Sequence, residues 1–384
     1  MRFLHTADWH VGRPFTVSRL AEQEAVFAEI LDIASANRVD CVLVCGDVFD
    51  SRAPSAEAER AVFTLFAELV KRGIAAVIIG GNHDHPKRLG ALQGLLDPLR
   101  ILIRPEPVRA EEGGVIEFGV GGEVARIAAL PFVSERHIVD ACAIMGPEET
   151  WYADYAENVS AMMNLLARSL SANTINIVMA HLFAFGADTS GSEWAIHTSL
   201  PYAISPAQFP ASAQYVALGH LHRPQEIVAS PVPCQYAGSP VQLDFGEQGQ
   251  RKHVVLIEAR PGRPVHTESI PLTAGRNLRD LEGRIDEIES KAEAYGNDYL
   301  RVTVITDGPV PGLADRVRAR LPNALQIRTK NTAAPEVQPS MPRRQAKPQE
   351  LFRDFYGRQH GGEVPADLVK AFSDLYEEAI HAAE

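Results

Sequence analysis

Five short segments carry side chains able to hold metal: Asp8-Trp9-His10, Gly46-Asp47-Val48-Phe49-Asp50, Gly80-Gly81-Asn82-His83-Asp84, Ala180-His181 and Gly219-His220-Leu221-His222. Carboxylates and neutral imidazoles without a thiolate make a hard site, suited to Mn2+, Fe2+ or Zn2+ rather than to a cysteine-bound zinc. Two ions roughly 3.5–4 Å apart need a bridging carboxylate, and Asp47, in the central motif, is the natural bridge. Alternation along an extended strand end turns both members of a D-x-H pair to one side. The same argument covers His220 and His222, unless a tight turn splays them towards different ions. Glycines before Asp47, Asn82 and His220 let backbone pass close to such a cluster without a Cβ clash. Taken singly, the motifs are weak: His220 could be a satisfied core histidine, and Asp50 could cap the turn at 51–54. All five in this order, each after an apolar run, form a specific signal, because so many polar groups near buried strands are costly unless metal pairs them.

The elements that must position them alternate in a βα rhythm. Residues 2–6, 39–45 and 75–79 read as strands, the middle one apolar throughout, as a strand covered on both faces would be. Helical patterns fill 20–37, 54–72, 89–99 and 151–171, with Pro54 near the first turn of the second. Further strands are expected at 101–103, 115–118, 125–129, 175–179, 215–218 and 254–258. Together they predict a layered α/β sheet, in which ligands bind beyond the carboxyl ends of the strands. Loops far apart in sequence can therefore converge on one point.

Composition changes after about residue 263. A strand at 266–272, a helix face marked by Leu278, Leu281, Ile285 and Ile288, a strand at 299–306, a helix at 312–321 and a strand at 324–329 predict a small second domain. Residues 331–348 have no periodicity and carry prolines at 335, 339, 342 and 348. They read as a stiff linker with a basic cluster, Arg343, Arg344 and Lys347. Two helices follow at 349–357 and 365–382, split by Gly361-Gly362. Leu351, Phe352, Phe355 and Tyr356 on the first, and Leu368, Phe372, Leu375 and Ala379 on the second, form apolar stripes. Such a tail either folds back on its own chain or docks on another protein's helices. The expected division is 1–265, 266–330, 331–348 and 349–384.

Composition excludes several classes. The hydrophobic fraction of 46% and charged fraction of 22% over 384 residues are those of a globular chain too long for one core. No apolar run is long enough to span a membrane, and the N-terminus lacks a signal peptide's apolar core, so a cytoplasmic protein is expected. Cys41, Cys45, Cys142 and Cys234 form no CxxC pair, and Cys41 and Cys45 share a face of a buried strand, where packing is their expected role. The net charge is −12, so the overall field would repel a phosphate backbone. A nucleic-acid substrate would have to be gripped by a local basic strip, by metal ions or through a partner.

The five motifs resemble those of the calcineurin-like metallophosphoesterases. The fuller segments HTADWHVG, CGDVFDSRAPS, GGNHDHPKRL, YVALGHLHRPQ and YAGSPVQLDFGE resemble the nuclease-subunit branch of that superfamily, the SbcD proteins of bacterial SbcCD repair complexes. The tail, QELFRDFYG and PADLVKAFSDLYEEA, is similar to that branch's partner-binding end, so the likeness spans the chain. It implies a layered β-sandwich core flanked by helices, a small α/β capping domain at 266–330 and a helical partner-binding tail at 349–384. It implies two divalent ions, Mn2+ foremost, one held by Asp8, His10, Asp47 and His222 and the other by Asp47, Asn82, His181 and His220. His83 would approach the scissile phosphate, with Asp84 orienting it; Asp50 and His85 receive no role. The implied activity is hydrolysis of DNA phosphodiesters, exonucleolytic and endonucleolytic. The implied partner is an SbcC-like coiled-coil ATPase, in a heterotetramer built on a homodimer of this chain. Candidate dimer residues are Val62, Phe63, Phe66, Leu95 and Leu96, and Lys87 and Arg88 flank the third motif. No GxxxxGK[ST] occurs, so ATP would be hydrolysed by the partner. A stand-alone phosphoesterase for a small molecule or phosphoprotein, and a tether with a vestigial site, are the competing readings.

Overall fold

The computed structural model describes residues 1–13, 15, 17–147, 151–152, 154–195, 197–308 and 310–331, and 351–353, 355–357, 364–366, 368–373 and 376 of the tail. The predicted linker therefore lies, but for residue 331, outside the described residues. Strands β1 (Arg2–Thr6), β2 (Cys41–Cys45) and β3 (Ala75–Ile79) alternate with helices α1 (Leu20–Ala36) and α2 (Ala56–Lys71). Helix α2 begins where the Ser55 side chain accepts from the Ala58 N–H, so Pro54 precedes the cap instead of sitting inside the first turn. The single helix expected at 89–99 is three pieces: α3 (Pro86–Gly90), α4 (Gln93–Leu96) and a 3-10 turn, Asp97–Leu99. Gly90, Gly94 and Pro98 weaken a continuous helix there, and Arg100, at φ 65°, ends it.

Next come β4 (Ile101–Arg104), β5 (Val115–Val120) and β6 (Glu123–Leu130). Helix α5 (Ile138–Met145) was not legible, and α6 (Tyr155–Ala167) starts later than the pattern from Trp151 suggests, because Asp154 caps Ala156 and Glu157. Then follow β7 (Ile175–His181), β8 (Phe183–Ala184), β9 (Ala203–Ile204), β10 (Tyr215–Gly219), β11 (Gln225–Glu226), β12 (Cys234–Tyr236), β13 (His253–Glu258) and β14 (His266–Pro271).

Two six-stranded sheets result, ordered β14-β13-β1-β2-β3-β4 and β11-β12-β10-β7-β6-β5. Strands β1 to β4 are mutually parallel, with Thr6 level with Val44 and Cys45 with Ile79, so the loops after β1, β2 and β3 start side by side. In the second sheet β7 and β10 are parallel, with His181 beside Gly219. Side-chain alternation explains the layers. Phe3, Leu43 and Val77 from the first sheet meet Ile127, Ile177 and Tyr215 from the second. On its other face β2 sends Val42 and Val44 against Val26 and Ile30 of α1 and Val62 and Phe66 of α2. Strand β7 likewise turns Val178 and Ala180 to Ala141 of α5 and Met162 and Leu166 of α6. The fold is a sandwich of two sheets between two helical layers. The buried Cys41 thiol is pushed up to about 12 by burial, as packing without thiolate chemistry requires.

Two expectations for the second domain are corrected. Strand β14 pairs with β13, Val254 beside Ile270, and so extends the first sheet; Ile270 and Leu272 pack on that sheet's core. The segment read as the start of a helix is strand β15 (Leu278–Gly283), parallel to β16 (Tyr299–Thr306). Gly283 disfavours a helix there, and helix α7 (Ile285–Ser290) begins only after it, where Glu287 accepts from the Arg284 N–H. Helix α8 (Leu313–Arg320) and β17 (Ala324–Asn331) complete a three-stranded unit, ordered β15-β16-β17, around Ile288, Leu300, Val302, Val304 and Val317.

Of the proposed dimer residues, Val62 and Phe66 are core, whereas Phe63 and Leu95 are exposed. In the tail, residues 351–353, 355–357 and 368–373 are helical, and the Phe352 and Phe372 rings stack with centroids 4.3 Å apart. Leu375 and Ala379 lie outside the described residues. No helix among the described residues is long and apolar enough to cross a membrane.

Candidate metal centre

All seven expected ligands are buried and meet where the loops after β1, β2, β3, β7 and β10 converge. The D-x-H geometry is not that of an extended strand end. Asp8 (φ 51°) and His10 (φ 43°) both take left-handed backbone, as do Asp47 (φ 50°) and His220 (φ 105°). Each such residue is costly outside glycine. Between Asp8 and His10, the buried Trp9 turns away and donates its indole N–H to Thr6 Oγ1. Kinked loops, not strand alternation, therefore aim these side chains. Glycine is required where the loops touch: a Cβ on Gly219 would lie 1.8 Å from the Cys45 carbonyl oxygen, and one on Gly81 would lie 2.1 Å from Asp47 Oδ1.

An oxygen outside the cluster faces one nitrogen of each of three imidazoles. His10 Nδ1 faces the Asp50 carboxylate at 3.1 Å, His181 Nδ1 the Cys45 carbonyl at 2.8 Å, and His220 Nε2 the His197 carbonyl at 3.3 Å. These oxygens can only accept, so in the tautomer that serves them each of these nitrogens carries the proton and the other has its lone pair free for a cation. Those lone pairs point inward. His10 Nε2 lies 3.0 Å from His222 Nε2 and 3.4 Å from Asp47 Oδ2. His181 Nε2 lies 3.6 Å from Asp47 Oδ2 and 3.0 Å from Asn82 Oδ1, which is 2.9 Å from His220 Nδ1. Asp8 Oδ1 accepts from the His220 N–H at 2.9 Å, while Asp8 Oδ2 is buried with no partner. Acceptors crowding acceptors, plus an orphaned carboxylate oxygen, is unfavourable unless a cation sits among them. Donor atoms of Asp8, His10 and His222, and of Asp8, Asp47 and His181, each lie within 4.8 Å of one another. The residues fit divalent metal. His220 and His222 splay, the former towards Asn82 and the latter towards His10.

The electrostatics agree. Burial raises Asp8 well above the usual carboxylate range, and the Asp47 charge raises it further. Burial also acts on Asp47, but His181, His83 and His10 outweigh it and hold that carboxylate below its usual range. Burial pushes His10 down to about 3 and lowers His181 and His220, so these imidazoles are neutral at pH 7 and able to ligate.

Two role expectations change. The hydrogen bonds of Asp84 go elsewhere than to the His83 ring: its carboxylate accepts the backbone N–H groups of Val48, Phe49 and Gly81 and so ties the second and third motif loops together. Burial and then Asp47 raise it to about 6, against those three bonds. His83 Nδ1 instead donates to the Asp50 carbonyl at 2.8 Å, and its ring lies 4.6 Å from His10 and 4.5 Å from Trp194. Asp50, given no role by the sequence, orients two histidines, one through its carboxylate and one through its carbonyl. Ser192, Glu193, Glu247 and Lys252 also support the site and were missed. Ser192 Oγ lies 2.5 Å from His222 Nδ1, the Glu193 carboxylate accepts the His222 N–H, and Lys252 Nζ donates to the His222 carbonyl. Glu247 closes the YAGSPVQLDFGE segment, so a signal existed for it; Ser192 and Glu193 lie in a loop with none. Lys87 is exposed, and Arg88 is paired with Glu59 at 2.8 Å.

The calcineurin-like phosphoesterase family model matches residues 1–224, and the family model described as the type 5 capsule protein repressor C-terminal domain matches residues 274–360. Three relatives share one description, the SbcD subunit of the SbcCD nuclease. That from Rhodobacter capsulatus is 30% identical, covering 92% of this chain and 93% of its own. That from Bacillus subtilis is 29% identical over 98% and 97%. That from Escherichia coli K12 is 27% identical over 83% and 82%.

Proposed function

The chain belongs to the calcineurin-like phosphoesterase family and, within it, to the SbcD nucleases, and from that premise we propose that it is a metal-dependent DNA nuclease working with an SbcC-type subunit. The observation that carries the reading is the ring of inward-facing lone pairs with the unpartnered Asp8 Oδ2 at its edge. Asp8, His10, Asp47 and His222 would hold one divalent ion, and Asp47, Asn82, His181 and His220 the other; Mn2+ suits this oxygen and imidazole set. Such ions supply Lewis acidity, lowering the pKa of bound water and taking up charge on the phosphoryl oxygens.

The chain's own residues do the rest. Asp50 and the Cys45 and His197 carbonyls keep the imidazole lone pairs inward, so the site is organised before substrate arrives. His83 donates its Nδ1 proton to the Asp50 carbonyl, and in its doubly protonated form its Nε2–H would donate to a phosphate oxygen lying on the cluster and pass that proton to the leaving oxygen. Asp84 holds the loop that presents it. The unit of β15, β16 and β17 would cap the DNA. Residues 349–384 would bind the coiled-coil ATPase, with exposed Leu351, Phe355 and Leu368 available for contact. Exposed Phe63 and Leu95 suit a homodimer contact within a heterotetramer. The test is to incubate the purified chain with Mn2+ and linear duplex, hairpin DNA or small phosphodiesters, with and without the ATPase subunit. Mn2+-dependent DNA cleavage is expected; cleavage of small phosphodiesters alone would overturn the reading.

A further inference from the structure

The segment YAGSPVQLDFGE contributes no ligand, yet its last residue reaches one. Glu247 is fully buried on a 3-10 turn, Phe245–Glu247. Its Oε1 lies 2.6 Å from Ser192 Oγ, and its Oε2 accepts from Lys252 Nζ at 2.7 Å and from the Leu243 N–H at 3.0 Å. Proton bookkeeping then leaves one arrangement. Carboxylate can only accept, so the single Ser192 hydroxyl proton goes to Glu247, and Ser192 Oγ must accept from His222 Nδ1–H at 2.5 Å. His222 therefore keeps its Nε2 lone pair, the atom 3.0 Å from His10 Nε2, on the metal cluster. Lys252 ties the same carboxylate to the His222 carbonyl at 2.8 Å.

The turn that carries Glu247 is gripped by the small domain on both sides of that residue. Phe245 is buried against Leu278 and Tyr299, with the Arg301 guanidinium 4.7 Å from its ring centre. Gln248 Oε1 accepts the Asp280 N–H at 2.6 Å. We propose that Glu247, acting through Ser192, is the positioning residue that sets the tautomer and aim of His222, and that the seating of the small domain on this turn thereby tunes the affinity of one of the two metal ions. The inference rests on His222 being a ligand.

The test is calorimetric titration of the full chain with Mn2+, read beside electron paramagnetic resonance of bound Mn2+. The unmodified chain is expected to take up two ions. S192A and E247A each weaken one ion by about 10- to 100-fold and leave the other unchanged. The double variant is no worse than either alone, because both break one relay. R301Q, on the small domain, weakens the same ion by a smaller factor, with circular dichroism unchanged. S192A lies on a loop and keeps the test open if E247A fails to fold. Unaltered binding of both ions in S192A overturns the relay, and a response to S192A but none to R301Q overturns the coupling. An unmodified chain that binds no pair of ions would instead strike at the ligand assignment itself.

Discussion

At the residue scale, the proposed function separates groups that would hold metal from groups that would act on substrate, and the two make different predictions. His83 is tied by its Nδ1 to a backbone carbonyl and shares no hydrogen bond with Asp8, Asn82, His181, His220 or His222. H83A should therefore lower turnover by about 10²–10⁴-fold while Mn2+ stoichiometry stays as in the parent; parallel loss of metal would make His83 a ligand instead. His5 illustrates a different use of the same side chain. It is fully buried between Tyr215 Oη and the Leu218 carbonyl, and burial pushes it down to about 3. The unfolded chain binds a proton there below about pH 6.5 and the folded chain does not until about pH 3, so stability contributed by neutral His5 falls as pH drops through that window. H5Q should flatten the acid limb: between pH 7 and 5 its urea-derived stability should drop less than the parent's by on the order of 2 kcal/mol. Identical slopes would mean that His5 titrates normally.

At the element scale, close approach of strand ends is the requirement, and glycine is how it is met. Gly219 ends β10 where the Cys45 carbonyl ends β2, and a Cβ there has 1.8 Å of room against rigid backbone. G219A should cost at least the upper part of about 1–3 kcal/mol, whereas G94A, with nothing within 4 Å of its added carbon, should be neutral or stabilise α4 by up to about 1 kcal/mol. Denaturant midpoints that ranked the two the other way would contradict this account. Continuous apolar runs such as 41–45 and 75–79 were legible because both faces of those strands are covered. That these side chains gather at one buried centre was legible too, because buried carboxylate and imidazole have few other uses. What was not legible depended on partners distant in sequence. Leu278 and Leu281 have helical spacing but lie on a strand that pairs with β16, and β14 belongs with β13 across a turn that composition marked as a boundary. The left-handed backbone at Asp8 and His10 has no composition signature, since only the packed loops enforce it.

At the scale of the whole molecule, the charge balance has to be reconciled with a polyanionic substrate. A net charge of −12 gives no general attraction for DNA, and the cations paired near the site, such as Arg13 with Asp50 and Arg88 with Glu59, are largely neutralised. On the proposed function, positive charge at the phosphate would come from bound divalent ions, and the longer-range grip from a partner bound through the tail. The tail is suited to this by its own packing: Phe352 stacks on Phe372 while Leu351, Phe355 and Leu368 stay exposed. Removing residues 349–384 should leave Mn2+-dependent cleavage of small phosphodiesters within about twofold of the parent, because no ligand or supporting residue is lost. It should abolish the added duplex cleavage that the coiled-coil ATPase brings, together with co-elution of the two chains. L351D, which places charge on the exposed face without touching the Phe352–Phe372 stack, should weaken co-elution while the heat-unfolding transition stays in place. If the shortened chain still co-elutes with the ATPase and responds to it, the partner contact lies on the catalytic unit, and the acidic surface there must carry a complementary basic face on the other protein.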